Sequence, residues 1–268
     1  MTRFTRRAVF GVASAAVAAP FIVSSVRADT HARPHICLVH GAWHGAWAWT
    51  RLMPLLIEAG YSVSAPDLSG LGANSHRQAP EIGLHVHGQD VLNHLYFNDL
   101  DNVAVVGHSY GGCVLSEALA GDADGRITRA IYLDALVPGE GEALATFVPE
   151  NVRGNFQAAA EAGNMIPPRP PELWEKMWGL TGETAEFAGP RLRPMSARCF
   201  TEPVQGDPFK DGVKYTFQRC IQNVNPLFEM FSEKTKADPR FAHAEIDGHH
   251  DVMVIDPPLM RDALISAL

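Results

Sequence analysis

The chain has 268 residues, of which 46% are hydrophobic and 19% charged, proportions that exclude a disordered chain or a fibrous repeat and fit one sizeable core. Its 22 basic against 30 acidic side chains give a net charge of −8, which argues against a nucleic-acid partner. The charge is uneven: residues 1–28 hold Arg3, Arg6, Arg7 and Arg27 and no acid, leaving 18 basic against 30 acidic residues beyond them, a net of −12.

Those first 28 residues read as an export leader. Thr5-Arg6-Arg7-Ala8-Val9-Phe10 precedes an apolar, small-residue run over 11–26, and Val26-Arg27-Ala28 supplies a small-residue exit. The arginine pair ahead of a phenylalanine resembles the twin-arginine signal, so cleavage is expected after Ala28 and the mature protein is expected in the periplasm or outside the cell, with no membrane association once the leader is gone. The alternative is an N-terminal anchor, but Pro20 interrupts the run, which is also shorter than the roughly 20 apolar residues a span needs. Cys37, Cys113, Cys199 and Cys220 all follow the leader without zinc-ligand spacing; buried free thiols are expected, with Cys199 and Cys220 the one pair worth testing for a bridge.

From residue 35 short β-branched runs alternate with helical ones. Strands are expected over 36–39, 61–65, 103–106 and 129–133, with helices over 52–59, 86–95 and from 110 to about 120. The rhythm breaks over 138–212, which holds Pro167-Pro168-Arg169-Pro170-Pro171, Trp174 and Trp178; so long a segment within a compact domain reads as an inserted helical cap. The pattern resumes with a strand over 213–220, a helix over Pro226–Lys236, a strand over Phe241–Ile246 and a helix over 258–268. The expected fold is α/β, a doubly wound, mostly parallel sheet, with a core of residues 29–137 and 213–268 and a cap of 138–212.

Gly107-His108-Ser109-Tyr110-Gly111 matches Gly-x-Ser-x-Gly where a strand passes into a helix. That context puts Ser109 on a sharp turn, its hydroxyl above the strand ends, and flanking glycines let strand and helix approach. A serine hydroxyl attacks only when a base takes its proton and a third group holds that base. Gly248-His249-His250-Asp251 follows the last strand, and either imidazole can reach the strand ends. An oxyanion needs two donors: the N–H of Tyr110, after the nucleophile, and that of Ala42 in the turn His40-Gly41-Ala42-Trp43.

These residues resemble the α/β-hydrolase superfamily, in the branch of plant methylesterases, hydroxynitrile lyases and bacterial esterases. The likeness rests on Leu38-Val39-His40-Gly41-Ala42-Trp43-His44-Gly45, Ala65-Pro66-Asp67-Leu68, the elbow through Gly112, Tyr132-Leu133-Asp134-Ala135 and the His250 segment, in that order. It selects His250 as base and leaves His249 in support. The family's acid usually follows the next-to-last strand, where this chain has Asn223 and Asn225, and an amide cannot stabilise an imidazolium as a carboxylate does. Haloalkane dehalogenases carry their acid where Asp134 ends its strand, so the resemblance implies a Ser109, His250, Asp134 triad with Asn223 in support. A capping carboxylate leading into the cap is the structural alternative for Asp134.

Hydroxynitrile lyases of this branch have threonine after the first histidine and lysine after the catalytic one; here Gly41 and Asp251 stand there. The reading is therefore ester hydrolysis of a small-molecule substrate with no metal or other cofactor, the alternatives being a ligand-binding homologue and, behind it, a lyase. Trp43, Trp174 and Trp178 are candidates for an apolar substrate pocket, as are Phe147, Phe156 and Phe187, and cap core is the competing role for each.

Overall fold

The computed structural model describes residues 33–268, so the expected leader lies outside the described residues. In chain order the first half forms β1 (His35–Val39), α1 (Met53–Glu58), β2 (Val63–Ser64), α2 (Leu84–Phe97), β3 (Val103–His108), α3 (Gly111–Gly121) and β4 (Ile127–Leu133). There follow α4 (Glu150–Glu161), β5 (Met165–Ile166), α5 (Trp174–Trp178), α6 (Gly182–Ala188), β6 (Met195–Ser196) and α7 (Arg198–Thr201). The chain then returns through β7 (Lys214–Cys220), α8 (Pro226–Lys236), β8 (Phe241–Ile246), α9 (Val252–Ile255) and α10 (Pro257–Ser266).

Six strands form one sheet in the order β2-β1-β3-β4-β7-β8, and every adjacent pair is parallel. Parallel neighbours require a crossover between them, which is why helices intervene and why central strands are apolar on both faces. All six residues of β3 are buried, whereas only Ile246 of the edge strand β8 is buried and that strand carries His243 and Glu245. The short edge β2 narrows the expected 61–65 strand to two ladder residues, because nothing pairs beyond it.

From β1 the chain turns to one side to make β2, then crosses back to place β3 on the other side. This reversal opens a crevice between the carboxyl ends of β1 and β3, the place where open α/β sheets bind ligands. The excursion between β4 and β7 carries the helices α4 to α7 joined by irregular chain, with β5 and β6 forming a separate antiparallel pair, Met165 opposite Ser196 and Ile166 opposite Met195. Local chemistry fixes several boundaries. The Asn225 side chain accepts the Leu227 N–H at 3.0 Å to start α8, and Asp256 accepts that of Leu259 at 3.0 Å to start α10; proline follows each cap. Among the described residues no helix is long and apolar enough to cross a membrane.

Candidate active site

Three non-glycine residues with positive φ mark the carboxyl ends of β1, β3 and β4: Trp43 at 66°, Ser109 at 55° and Asp134 at 40°. Side chains on such backbone cost free energy, and their clustering at strand ends that converge on one crevice is a mark of a working site. The strain at Ser109 is held by hydrogen bonds on both sides, its N–H to Leu133 O at 3.2 Å and its carbonyl accepting from Gly112 N at 3.1 Å and Leu136 N at 3.2 Å. A Cβ on Gly107 would lie 2.4 Å from Gly111 O, and one on Gly111 would lie 2.7 Å from Val39 O. Only glycine at these two positions lets α3 start this close to β1 and β3.

His250 donates from Nδ1 to Asp134 Oδ2 at 2.7 Å, and both groups are buried. Its Nε2 has no hydrogen-bond partner among the described residues, and the ring lines a cavity together with Ser109, Ala42 and Tyr110. Burial by itself would raise the Asp134 pKa, but the bonds from His250 and Asn223 and the charge of Arg219 bring it below the ordinary carboxylate value. Asn223 donates from Nδ2 to Asp134 Oδ2 at 2.6 Å, while its Oδ1 accepts the Asn225 N–H at 3.1 Å. That second bond fixes which end of the amide faces inward. The Asn223 Nδ2 therefore sits 3.2 Å from His250 Nδ1 as a second donor to the same carboxylate. Arg219 and the Cys220 N–H complete the set on Oδ1, at 2.7 and 3.3 Å.

Arg219 escaped the sequence reading. It is 4% exposed and also bonds the carbonyls of Cys220 and Asn223 and the Glu229 carboxylate. The signal was present: an arginine near the end of an apolar strand must find a buried carboxylate, since a lone buried charge costs several kcal/mol.

The turn after β1 packs against Ser109; a Cβ on Gly41 would lie 3.0 Å from Ser109 Cβ. Among the described residues neither the Ala42 N–H nor the Tyr110 N–H has an acceptor. The peptide that carries the Ala42 N–H is held by its other end, Gly41 O, which accepts from His40 Nδ1 at 2.9 Å. His40 Nε2 accepts the Leu68 N–H at 3.2 Å, so the ring is neutral, and burial drives its pKa down to about 3. The Tyr110 ring is buried; its hydroxyl donates to His87 Nδ1 at 2.9 Å, because His87 Nε2–H is used on Ser69 O at 3.0 Å.

Behind this lies a second histidine–carboxylate pair. His44 donates from Nε2 to Asp251 Oδ2 at 3.0 Å and from Nδ1 to Ala42 O at 2.7 Å. With both nitrogens donating it is an imidazolium: burial would lower its pKa, but the facing carboxylate raises it above 6.5. His108 donates to the carbonyl of His250 at 3.0 Å and is otherwise driven neutral by burial, its pKa near 3. His108, His250 and Asp251 bring ligand atoms within 4.8 Å of one another, but His108 Nε2 and His250 Nδ1 are spent on hydrogen bonds, which does not suit a metal centre.

Of the other expected residues, Trp43 and Trp178 line the cavity, their rings 5.9 Å apart, and Phe156 lines it while stacking on Phe200 at 4.9 Å. Trp174 does not line it: its indole N–H is spent on Arg169 O at 2.6 Å, and its ring stacks behind Trp178 at 6.4 Å. Phe147 packs on Phe231 and Phe187 on Trp47, also away from the cavity. His249 meets no reacting group; its Cβ packs against Gly179 at the end of α5. Asp67 caps the turns at Ala46 and Ala73. All four cysteines are free and buried, Cys199 and Cys220 included.

Residues 38–262 match the family described as "Alpha/beta hydrolase family". The chain belongs to that family. Within the α/β-hydrolases it is 29% identical to the carbendazim hydrolyzing esterase of Nocardioides sp. over 240 residues, 85% of this chain and 97% of the other. It is 33% identical to methylesterase 1 of Arabidopsis thaliana, over about half of each chain. An extracellular α/β-hydrolase from a Paenibacillus species superposes with a TM-score of 0.74 at 20% identity, covering 88% of this chain and 99% of that one. The plant methylesterase likeness read from the motifs is matched over about half of the chain, and the esterase likeness over most of it.

Proposed function

We propose that this α/β-hydrolase is a serine carboxylic ester hydrolase working through an acyl-enzyme, with Ser109 as nucleophile, His250 as base and Asp134 as acid. The broad class, carboxylic ester hydrolase, rests on the esterase relatives; the serine mechanism rests on one observation, the His250–Asp134 pair facing the same cavity as Ser109. In the first step Ser109 Oγ attacks the ester carbonyl as His250 Nε2 takes its proton, and the freed N–H groups of Ala42 and Tyr110 receive the developing oxyanion. His250 then protonates the leaving alkoxide. Water, deprotonated by the same nitrogen, attacks the acyl carbonyl and releases the acid and the serine.

Asp134 carries a full charge through this cycle, so each imidazolium formed at His250 is matched by a buried carboxylate that is already ionised. This removes the reason to read the missing late acid as lost activity and so weakens the ligand-receptor alternative. The lyase alternative loses support because Asp251, where a lysine would steady cyanide, is an anion paired with His44.

The cavity holds about 120 Å³ and is walled by Leu144, Val148, Phe156, Trp178, Phe200 and Phe228 among others. This is close to the roughly 150 Å³ of an engineered cavity that admits benzene, so an aryl or compact branched group fits one side of the ester. We further propose that the segment between β4 and β7, which supplies most of these walls, acts as a cap, and that the protein works outside the cytoplasm as its leader implies. Short-chain aryl esters that release a chromophore test the reaction: the full activity should vanish in Ser109→Ala, and a wild type no faster than that variant would refute it.

A further inference from the structure

The cavity's rim holds one cation that the reaction does not use. Arg169 lines the cavity, whose other polar lining residues are Ser109, Tyr110, Asn225 and His250 and which has no aspartate or glutamate, and among the described residues its guanidinium forms no ion pair. It sits 5.9 Å from the centroid of the Trp43 ring. The surface groove beside it shares Met177 and Asn225 with the cavity and contributes Lys176, again with no carboxylate in its lining.

Arg169 is also held in place. It stands in Pro167-Pro168-Arg169-Pro170-Pro171, where prolines restrict the backbone on both sides. Its carbonyl accepts the Trp174 indole N–H at 2.6 Å, and three residues earlier Ile166 O accepts that of Trp43 at 3.1 Å. The strand pair Met165–Ile166 with Met195–Ser196 anchors the start of the segment. The proline run and Trp174 thus share a purpose: they hold the Arg169 backbone at the mouth of the cavity, where its exposed side chain stands in a protein whose charge beyond residue 28 is −12.

We propose that Arg169 is a specificity residue, and that the site takes esters joining a compact apolar body to an anionic group, a carboxylate foremost, which Arg169 binds at the rim. A guanidinium with one face on an indole keeps its edge N–H groups for a bidentate acid. Which bond is cleaved rests on the serine-esterase reading; the anion preference does not.

The test therefore reads binding without turnover. In full-length Ser109→Ala protein, tryptophan fluorescence follows titration with monomethyl terephthalate and with its neutral analogue of the same shape, methyl 4-carbamoylbenzoate. The anion should bind on the order of tenfold more tightly, and added salt should shrink the gap. Adding Arg169→Gln should bring the two Kd values together, whereas Arg169→Lys should keep part of the difference. Equal affinities in Ser109→Ala, or a preference that survives Arg169→Gln, would overturn the proposal. Wild-type turnover of the same pair separates the two claims: tight anion binding with no hydrolysis of either ester defeats the serine reading alone, and equal binding with equal hydrolysis defeats the anion site alone.

Discussion

Two buried histidine–carboxylate pairs stand side by side at the carboxyl edge of the sheet, His250 with Asp134 at 2.7 Å and His44 with Asp251 at 3.0 Å. In the first, one imidazole nitrogen is bonded and the other borders the cavity, while the carboxylate has three donors besides the histidine: Asn223, Arg219 and the Cys220 N–H. In the second, both imidazole nitrogens are bonded, and Asp251 Oδ1 has no hydrogen-bond partner among the described residues. The difference decides what each can do. A histidine with a free nitrogen and an over-supplied counter-charge can gain and lose a proton without disturbing the fold. A histidine with both nitrogens committed to a carbonyl and a carboxylate is biased toward its protonated form and braces the Ala42 turn against the loop that bears His250.

Breaking each pair should therefore injure a different property. Asp134→Asn should lower kcat by about 10³–10⁴, since the amide cannot stabilise the imidazolium and favours the wrong tautomer. Asp251→Asn should lower stability by about 3–5 kcal/mol in urea unfolding, because it strips a buried cation of its partner, and should lower kcat much less. Comparable losses of kcat in the two variants would erase the distinction. Arg219→Gln should fall between them, with kcat reduced on the order of tenfold as Asp134 loses one charge-assisted bond and with stability reduced as well.

The pairs also differ in their response to pH. The His44 pKa is raised from 6.5, so its contribution to stability is full below 6.5 and is lost as pH rises through its folded value. Asp134 and Asp251 are lowered from 3.8, so theirs are present above 3.8 and are lost as pH falls through the folded values. His40 and His108 act against acid stability: held near 3 when folded and 6.5 when unfolded, they take up protons on unfolding. Stability should thus decline as pH falls from 6.5 toward 3, a slope that His108→Gln should reduce by about one proton. The smallest effect is expected from reductant, which should leave Tm unchanged because all four thiols are free.

How much of this was legible in the sequence depends on whether a residue's role is local or assembled. Pro226–Lys236 and Phe241–Ile246 form over the very residues their patterns indicate, because caps, prolines and alternation act within a few residues. The sharp strand-to-helix turn at Ser109 was equally plain. The short edge strand β2, the β5–β6 pair and α9 were less so, since tertiary neighbours rather than propensity set them. Arg219 and His44 were invisible as functional residues because their partners lie 85 and 207 positions away along the chain. Trp174 shows the opposite error: an aromatic beside a true pocket residue looks like another wall until its indole is seen to hold Arg169.

Whether Asp134 rather than residue 223 holds His250, the proposed base, is tested most directly by proton NMR of the His250 Nδ1–H, the hydrogen placed between that ring and a buried carboxylate. The strongly downfield resonance of such a proton should appear in the wild type, persist in Asn223→Ala and vanish in Asp134→Asn. Persistence of the signal in Asp134→Asn, or its loss in Asn223→Ala alone, would contradict the assignment.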